Sequence, residues 1–268
     1  MEIIGEKINT TRKDVEKAVR GRDSAFIQDL ARKQAEAGAT YLDVNSGLAL
    51  YPEEEAEDFT WLVPLIQGVV DLPLCIDSGR AKPIEAALKL HKGQAMINSV
   101  NGDPAKMGEI FPLVKTYGSK VIALTSSKEA GIPATSGERL KVAQTIAKEA
   151  QNYGVPLGNI YFDPLVLALS TEYRNGLLFL ETLRGIKENL EEAKTISGLS
   201  NISFGLPKRS LLNQAFLVLA LGQGMDAAIL DPTDKALMAM VRAGEALTGK
   251  DPFCAQYLRA FREGRFDL

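Results

Sequence analysis

The chain has 268 residues, 46% of them hydrophobic and 24% charged, which suits a water-soluble protein with a substantial core and is enough for one α/β barrel. Its 31 basic and 34 acidic side chains leave a net charge of −3, so there is no general positive field to hold a nucleic acid or an anionic membrane, and neither is expected as a partner. No apolar run approaches the roughly 18 residues of a membrane span. The opening "MEIIGEKINT" has no secretory-signal pattern, and two cysteines, Cys75 and Cys254, cannot build a disulfide framework, so a reduced, cytoplasmic protein is expected.

In chain order, short β-rich runs alternate with amphipathic stretches. The strand segments are "EIIGEKI", "TYLDVNS", "LPLCIDS", "QAMINSV", "KVIALTS", "NIYFDPL", "AKTISGLSN" and "DAAILDP". Between them lie segments with apolar residues at helical spacing, such as "SAFIQDLARKQAEAG", where Ser24 is placed to cap the start and Gly38 to end the helix. Parallel strands need such crossovers, and eight strand-then-helix units predict a (β/α)8 TIM barrel; an open, doubly wound sheet is the competing arrangement. No linker composition appears, so residues 1–268 are expected to form a single domain, with 252–268 as an extra helix and tail at a possible oligomer contact.

In such a barrel the C-terminal strand ends form the mouth, where active sites lie. Glu6 and Asn9 follow the first strand; Asp43 and Asn45 end the second, Asp77 and Ser78 the third, Asn98 and Ser99 the fourth. Thr125 and Ser126, Asp163, Ser200 and Asn201, and Asp231 follow in turn. Singly, each is equally well a turn former or a helix cap. Together they line the mouth with carboxylates and amides, whose fixed donors and acceptors suit the edge of a neutral heterocycle with amino and lactam groups. The single histidine, His91 in "LKLHKG", falls at the opposite end and is expected on the surface, which excludes a histidine metal site or a Ser-His-Asp triad. Cys75 shares strand parity with Asp77 and reads as core packing inside the barrel. No spacing of the carboxylates is diagnostic of a metal, and none is expected.

The ordered set "GEKIN", "LDVNSG", "CIDSG", "MINSV", "YFDPL" and "GLSNISF", each at a strand end, resembles the pterin-binding methyltransferases. This family moves a methyl group between tetrahydrofolate and a corrinoid; dihydropteroate synthase shares its barrel as a more distant relative. The resemblance covers almost the whole chain and implies a pterin-binding type of TIM barrel. It implies that Asp77, Asn98 and Asp163 hold the pterin, that Asn201, flanked by Gly198 and Ser200, reaches the N5 region, and that Glu6 and Arg209 lie near the ligand. Asn201, Asp77 and Asn98 are the implied catalytic residues: the Asn201 amide stabilises charge at N5 while the proton passes from solvent through a network including Asp77 and Asn98. Phe204 stands where one branch of the family has a polar residue. Lys208 and Arg209 read equally as a surface helix turn or as contacts for the ligand or the folate glutamate tail.

The resemblance further implies tetrahydrofolate or 5-methyltetrahydrofolate as substrate. The D-x-H-x-x-G motif that supplies the histidine below cobalt is absent, so the corrinoid is expected on a separate corrinoid protein, with the enzyme a homodimer. The expected direction is from methylcorrinoid to tetrahydrofolate in anaerobic demethylation. Two alternatives stay open. A pterin-condensing synthase of the dihydropteroate synthase type would need a basic set, and K-x-x-R-x-H is nowhere in the chain. A non-catalytic folate-binding subunit would not need Asn201.

Overall fold

The computed structural model describes residues 1–129 and 131–266; the end of the expected tail, 267–268, lies outside the described residues. Eight parallel strands close in chain order, β1-β2-β3-β4-β5-β6-β7-β8 and back to β1, forming a (β/α)8 barrel rather than an open sheet. They are β1 (Glu2–Asn9), β2 (Tyr41–Asn45), β3 (Leu74–Asp77), β4 (Met96–Asn101), β5 (Lys120–Leu124), β6 (Ile160–Asp163), β7 (Lys194–Gly198) and β8 (Ala227–Leu230). The helices are α1 (Lys13–Arg20), α2 (Ser24–Glu36), α3 (Pro52–Gln67), α4 (Ala81–Leu90), α5 (Pro104–Tyr117), α6 (Ser136–Asn152), α7 (Asn175–Asn189), α8 (Arg209–Gly222), α9 (Lys235–Leu247) and α10 (Ala255–Arg262).

Local chemistry sets the helix ends. Prolines open α3 and α5 at the first turn, where no N–H is needed, and the Asp103 carboxylate accepts from the Ala105 N–H. Gly118, at φ +60°, ends α5 in the left-handed conformation. The cap of α2 is Asp23 rather than Ser24: its carboxylate accepts from the Phe26 N–H, and an ionised acceptor at a helix start also meets the positive end of the dipole. The first crossover carries two helices, α1 and α2, where one was expected.

The largest apolar cluster lies between the sheet and α1 to α6. A second fills the barrel itself with one inward side chain from each strand: Ile4, Tyr41, Cys75, Met96, Ile122, Tyr161, Ile196 and Ala227. Cys75 is core packing, fully buried in this layer. Because strand side chains alternate, the next inward positions, two residues on, face the mouth.

The opposite end of the barrel is closed by an ionic plug. Lys120 Nζ lies 3.1 Å from both Glu2 carboxylate oxygens, and the Tyr161 hydroxyl donates to Glu2 Oε1 at 2.8 Å. The Lys120 ammonium also sits about 5 Å from the centroids of the Tyr41 and Tyr161 rings. Lys120→Met strands the Glu2 carboxylate on one donor and should lower stability by about 2 kcal/mol in urea denaturation, with kcat unchanged because the plug is at the far end from the mouth. His91 lies at this end too, but is half-buried rather than on the surface. Its Nε2 accepts the Leu74 N–H at 2.8 Å, a bond that pins the start of β3, and burial lowers its pKa.

Candidate active site

Two residues beyond the apolar layer, the eight strands present Glu6, Asp43, Asp77, Asn98, Leu124, Asp163, Gly198 and Ile229 to the mouth. Most of the mouth opens into a cavity of about 500 Å³ lined by Glu6, Lys7, Asn9, Thr11, Arg12, Asp43, Asp77, Asn98, Ser200, Ile229 and Asp231. The ladder is irregular at two of these strands, between Gly5 and Ile8 and between Asn98 and Val100. Such irregularities redirect side chains next to sites. The buried Gln34 meets the consequence at β1, its Oε1 accepting the Lys7 N–H at 2.9 Å.

The polar groups fall into two neighbouring sets. In one, the Thr10 hydroxyl and Gly47 N–H donate to Asn45 Oδ1, and Asn45 Nδ2 donates to Asp77 Oδ2 at 3.0 Å. Asn98 Nδ2 donates to Asp43 Oδ1 at 3.3 Å, and the Cys75 thiol bonds Asp43 from below. In the other, Lys7 pairs with Asp231 at 2.5 Å, and the Glu6 carboxyl lies between this pair, Arg12 and Arg209 without a hydrogen-bond partner among the described residues.

Desolvation governs the titration of this floor. Burial pushes Asp77 up to about 6 against the opposing bond from Asn45. Burial and then the Asp77 charge push Asp43 well above the carboxylate range. Burial and the neighbouring Asp231 raise Glu6. Asp163 is pushed up to about 6 by burial, against the Leu165 N–H, the Ser197 hydroxyl and the Arg139 charge. Asp231 moves the other way: burial opposes it, but Lys7 and Thr233 hold it below the usual range. The mouth therefore holds carboxyls able to keep or release a proton near neutrality, beside one carboxylate fixed in its charged form.

Asp163 is almost fully buried, its Oδ1 accepting the Leu165 N–H at 2.8 Å. Gly198 stands next to it on β7, and a Cβ built there would meet nothing within 4 Å, so the backbone is bare where a flat ligand would approach. Gly198→Val should keep its melting temperature, because valine suits a strand, yet weaken folate binding at least about tenfold by filling this space; calorimetry and titration separate the two effects.

The loop after β7 contains a short 3-10 turn, Ser200–Ser203, that carries Asn201. Asn201 is exposed, and its carboxamide has no hydrogen-bond partner among the described residues. Arg209 opens α8 and is bound back into the loop: Nη2 donates to the Ser200 carbonyl at 2.7 Å and Nε to Ser203 Oγ at 3.1 Å. Its guanidinium thus shapes the loop, while its charge still reaches Glu6. Phe204 is 65% exposed and Lys208 is exposed, at φ +51°.

Of the residues expected from the sequence, Glu6, Asp77, Asn98, Asp163 and Gly198 fall in one inward layer; Ser200 borders the cavity, and Asn201 and Arg209 stand on the loop above. Asp43 was visible as a strand-end residue but belongs to the floor itself, two residues on from Tyr41 just as Asp77 is from Cys75. Asp231 was visible as a strand-end residue, but its pairing with Lys7 left no sequence signal because the two are far apart in the chain, and Arg12, ion-paired with the nearby Asp14, carried no sign of bordering the cavity. Among the described residues no group of three or more His, Cys, Asp or Glu could hold a metal ion, and no helix is long and apolar enough to cross a membrane.

The chain is similar to known proteins. The model of the pterin binding enzymes matches residues 5–231. A methylcorrinoid:tetrahydrofolate methyltransferase from Eubacterium limosum is 42% identical over 267 residues, covering 99% of this chain and 97% of its own. Methionine synthase from Mycobacterium tuberculosis is 30% identical over 241 residues, 85% of this chain but only 20% of that protein. A dihydropteroate synthase from Xanthomonas albilineans superposes with a TM-score of 0.70 over 92% of both chains at 18% identity, a likeness of fold alone. The chain belongs to the pterin-binding enzyme family, in its branch of folate- and corrinoid-linked methyltransferases.

Proposed function

We propose that the protein transfers a methyl group between the cobalt of a corrinoid protein and N5 of tetrahydrofolate, running from methylcorrinoid to tetrahydrofolate in an anaerobic demethylation route. The observation that carries this is the inward layer of Glu6, Asp43, Asp77, Asn98 and Asp163 around a bare Gly198, below an Asn201 amide with no partner among the described residues. Asp77, Asn98 and Asp163 offer the acceptors and the amide that a pterin edge requires. Glu6, Ser200 and Arg209 border the ligand, and Asn201 faces its N5.

The exchange balances as methyl–cobalt(III) plus the N5–H amine giving cobalt(I), the N5–methyl amine and one proton. The N5 lone pair forms the new carbon bond, the cobalt–carbon pair returns to cobalt, and the proton leaves N5. A carboxyl system that titrates near 6 can take that proton, or return it in the reverse reaction. The open mouth leaves room for cobalt to approach in line, and Leu50, Tyr51, Ile132, Tyr173 and Phe204 on its loops are exposed apolar groups suited to a docked protein. The same reading takes 1–268 as one domain with 252–268 as an added helix and tail, working as a cytoplasmic homodimer that takes tetrahydrofolate and a corrinoid protein as partners and binds no metal of its own.

The test mixes protein, methylcobalamin and tetrahydrofolate under anaerobic, reducing conditions and follows absorbance. Enzyme-dependent formation of cob(I)alamin with methyltetrahydrofolate supports the reading. Folate binding without turnover in either direction, with free cobalamin and with candidate corrinoid proteins, would leave a folate-binding subunit instead.

A further inference from the structure

Arg139 is an unusual residue for its position. It lies in the first turn of α6, where the helix dipole disfavours a cation, and it is 1% exposed. It makes no ion pair among the described residues; a buried charge in that state needs other partners. It finds three backbone carbonyls. Nε donates to Pro133 O at 2.9 Å, and Nη1 donates to Pro164 O at 2.7 Å and Leu165 O at 2.8 Å.

Two of those carbonyls follow Asp163 directly in the chain. Leu165 is held at φ +66°, a conformation that costs a non-glycine residue, and its N–H turns back to donate to Asp163 Oδ1. The corner Asp163-Pro164-Leu165 is thus fixed at one side by its own carboxylate and at the other by Arg139. Thr125, just after β5, donates its hydroxyl to the Asp163 carbonyl, and Ser197 on β7 bonds its carboxylate. The ionisable groups around Asp163 are Arg139 and, in the same inward layer, Asp77, Asp43 and Glu6; of these only the Arg139 charge acts on it. Glu172, Arg174 and Glu181 line a surface crevice with Arg139, yet among the described residues Asp163 is the carboxylate whose charge favours the guanidinium.

We propose that Arg139 is a positioning residue for pterin recognition: it clamps the Asp163-Pro164-Leu165 corner and supplies the counter-charge that keeps the Asp163 carboxylate ionised to accept N–H donors. This rests on the reading above that Asp163 holds the pterin. No contact between Arg139 and substrate is required, so its loss acts on affinity and on its pH dependence rather than on turnover.

The experiment titrates tetrahydrofolate against the full chain from about pH 5 to about pH 9, with kcat and KM measured alongside, for wild type, Arg139→Gln, Arg139→Lys, Asp163→Asn and the Arg139→Gln/Asp163→Asn pair. Arg139→Gln should move the pH below which affinity is lost upward by about one unit, which is about twofold weaker binding at pH 7 widening to nearly tenfold by about pH 5, with recovery at high pH to within the few-fold cost of the loosened corner and an unchanged kcat at saturation. Arg139→Lys, which keeps the charge but cannot reach all three carbonyls, should raise KM a few-fold with the wild-type pH midpoint. In the Asp163→Asn background, Arg139→Gln should add nothing. A folded Arg139→Gln with the wild-type midpoint and affinity overturns the proposal; if that variant does not fold, Arg139→Lys with lowered kcat and unchanged KM overturns it. Should Asp163→Asn bind folate like the wild type, the failure lies in the pterin reading of Asp163, and the role of Arg139 falls with it.

Discussion

Asn201→Ala is expected to lower kcat for methyl transfer by about 10²- to 10³-fold while leaving the tetrahydrofolate Kd within a few-fold, the pattern of a bond made chiefly in the transition state. The Asn201 carboxamide has no partner among the described residues, so its removal costs the fold nothing that denaturation would register. When the N5–methyl bond is made or broken, charge develops on nitrogen, and an amide can donate to N5 as its lone pair is released or accept from its proton as the amine is alkylated. Single-turnover kinetics with methylcobalamin, beside folate binding by titration, separate the two quantities. A variant with wild-type kcat removes Asn201 from the mechanism; one that loses affinity and rate equally makes it a binding residue only.

Much of the site was legible in the sequence because barrel strands alternate. Once "LCID" is a strand with Cys75 inward, Asp77 must be inward one layer higher, and the same count places Asn98 above Met96 and Asp163 above Tyr161. Nothing but that count is needed to find Asp43 above Tyr41, to which the family resemblance gave no role. The count fails beyond the strand ends. Asn201 and Arg209 sit on a turn whose shape depends on bonds from Arg209 to the Ser200 carbonyl and the Ser203 hydroxyl, and no periodicity describes it. Arg139 was equally hidden. In the helix pattern it is one more basic residue, and its burial follows from three carbonyls contributed by two other loops. His91 shows the converse: an isolated histidine before a strand looks superficial until its Nε2 is seen to accept the Leu74 N–H.

Asp77→Asn should move function and stability in opposite directions. Among the described residues the carboxylate is paired with no cation and its one bonded side chain is the Asn45 amide, and burial holds its pKa up to about 6 against roughly 3.9 in an unfolded chain. The folded protein therefore binds more protons than the unfolded one between those values, so stability falls as pH rises through that window and stays lower above it. Two units correspond to about 3 kcal/mol, from which the unmet donors of the new amide subtract, so at pH 7.5 the ligand-free variant should exceed wild type by about 1–3 kcal/mol. Asp43, relieved of the neighbouring charge, should ionise more readily and bring its pKa down. Folate affinity should drop about 100-fold, because the bonds lost are those of a charged acceptor. Urea denaturation across the pH range tests the first half: the two stabilities should converge as pH falls below about 4, where Asp77 is protonated in both states. A variant less stable than wild type at pH 7.5 would mean that Asp77 is stabilised by its surroundings, not strained by them. An acid held in the barrel mouth at a cost to the empty fold is what a ligand with N–H donors relieves on binding, and the same carboxyl is then poised to exchange a proton with it.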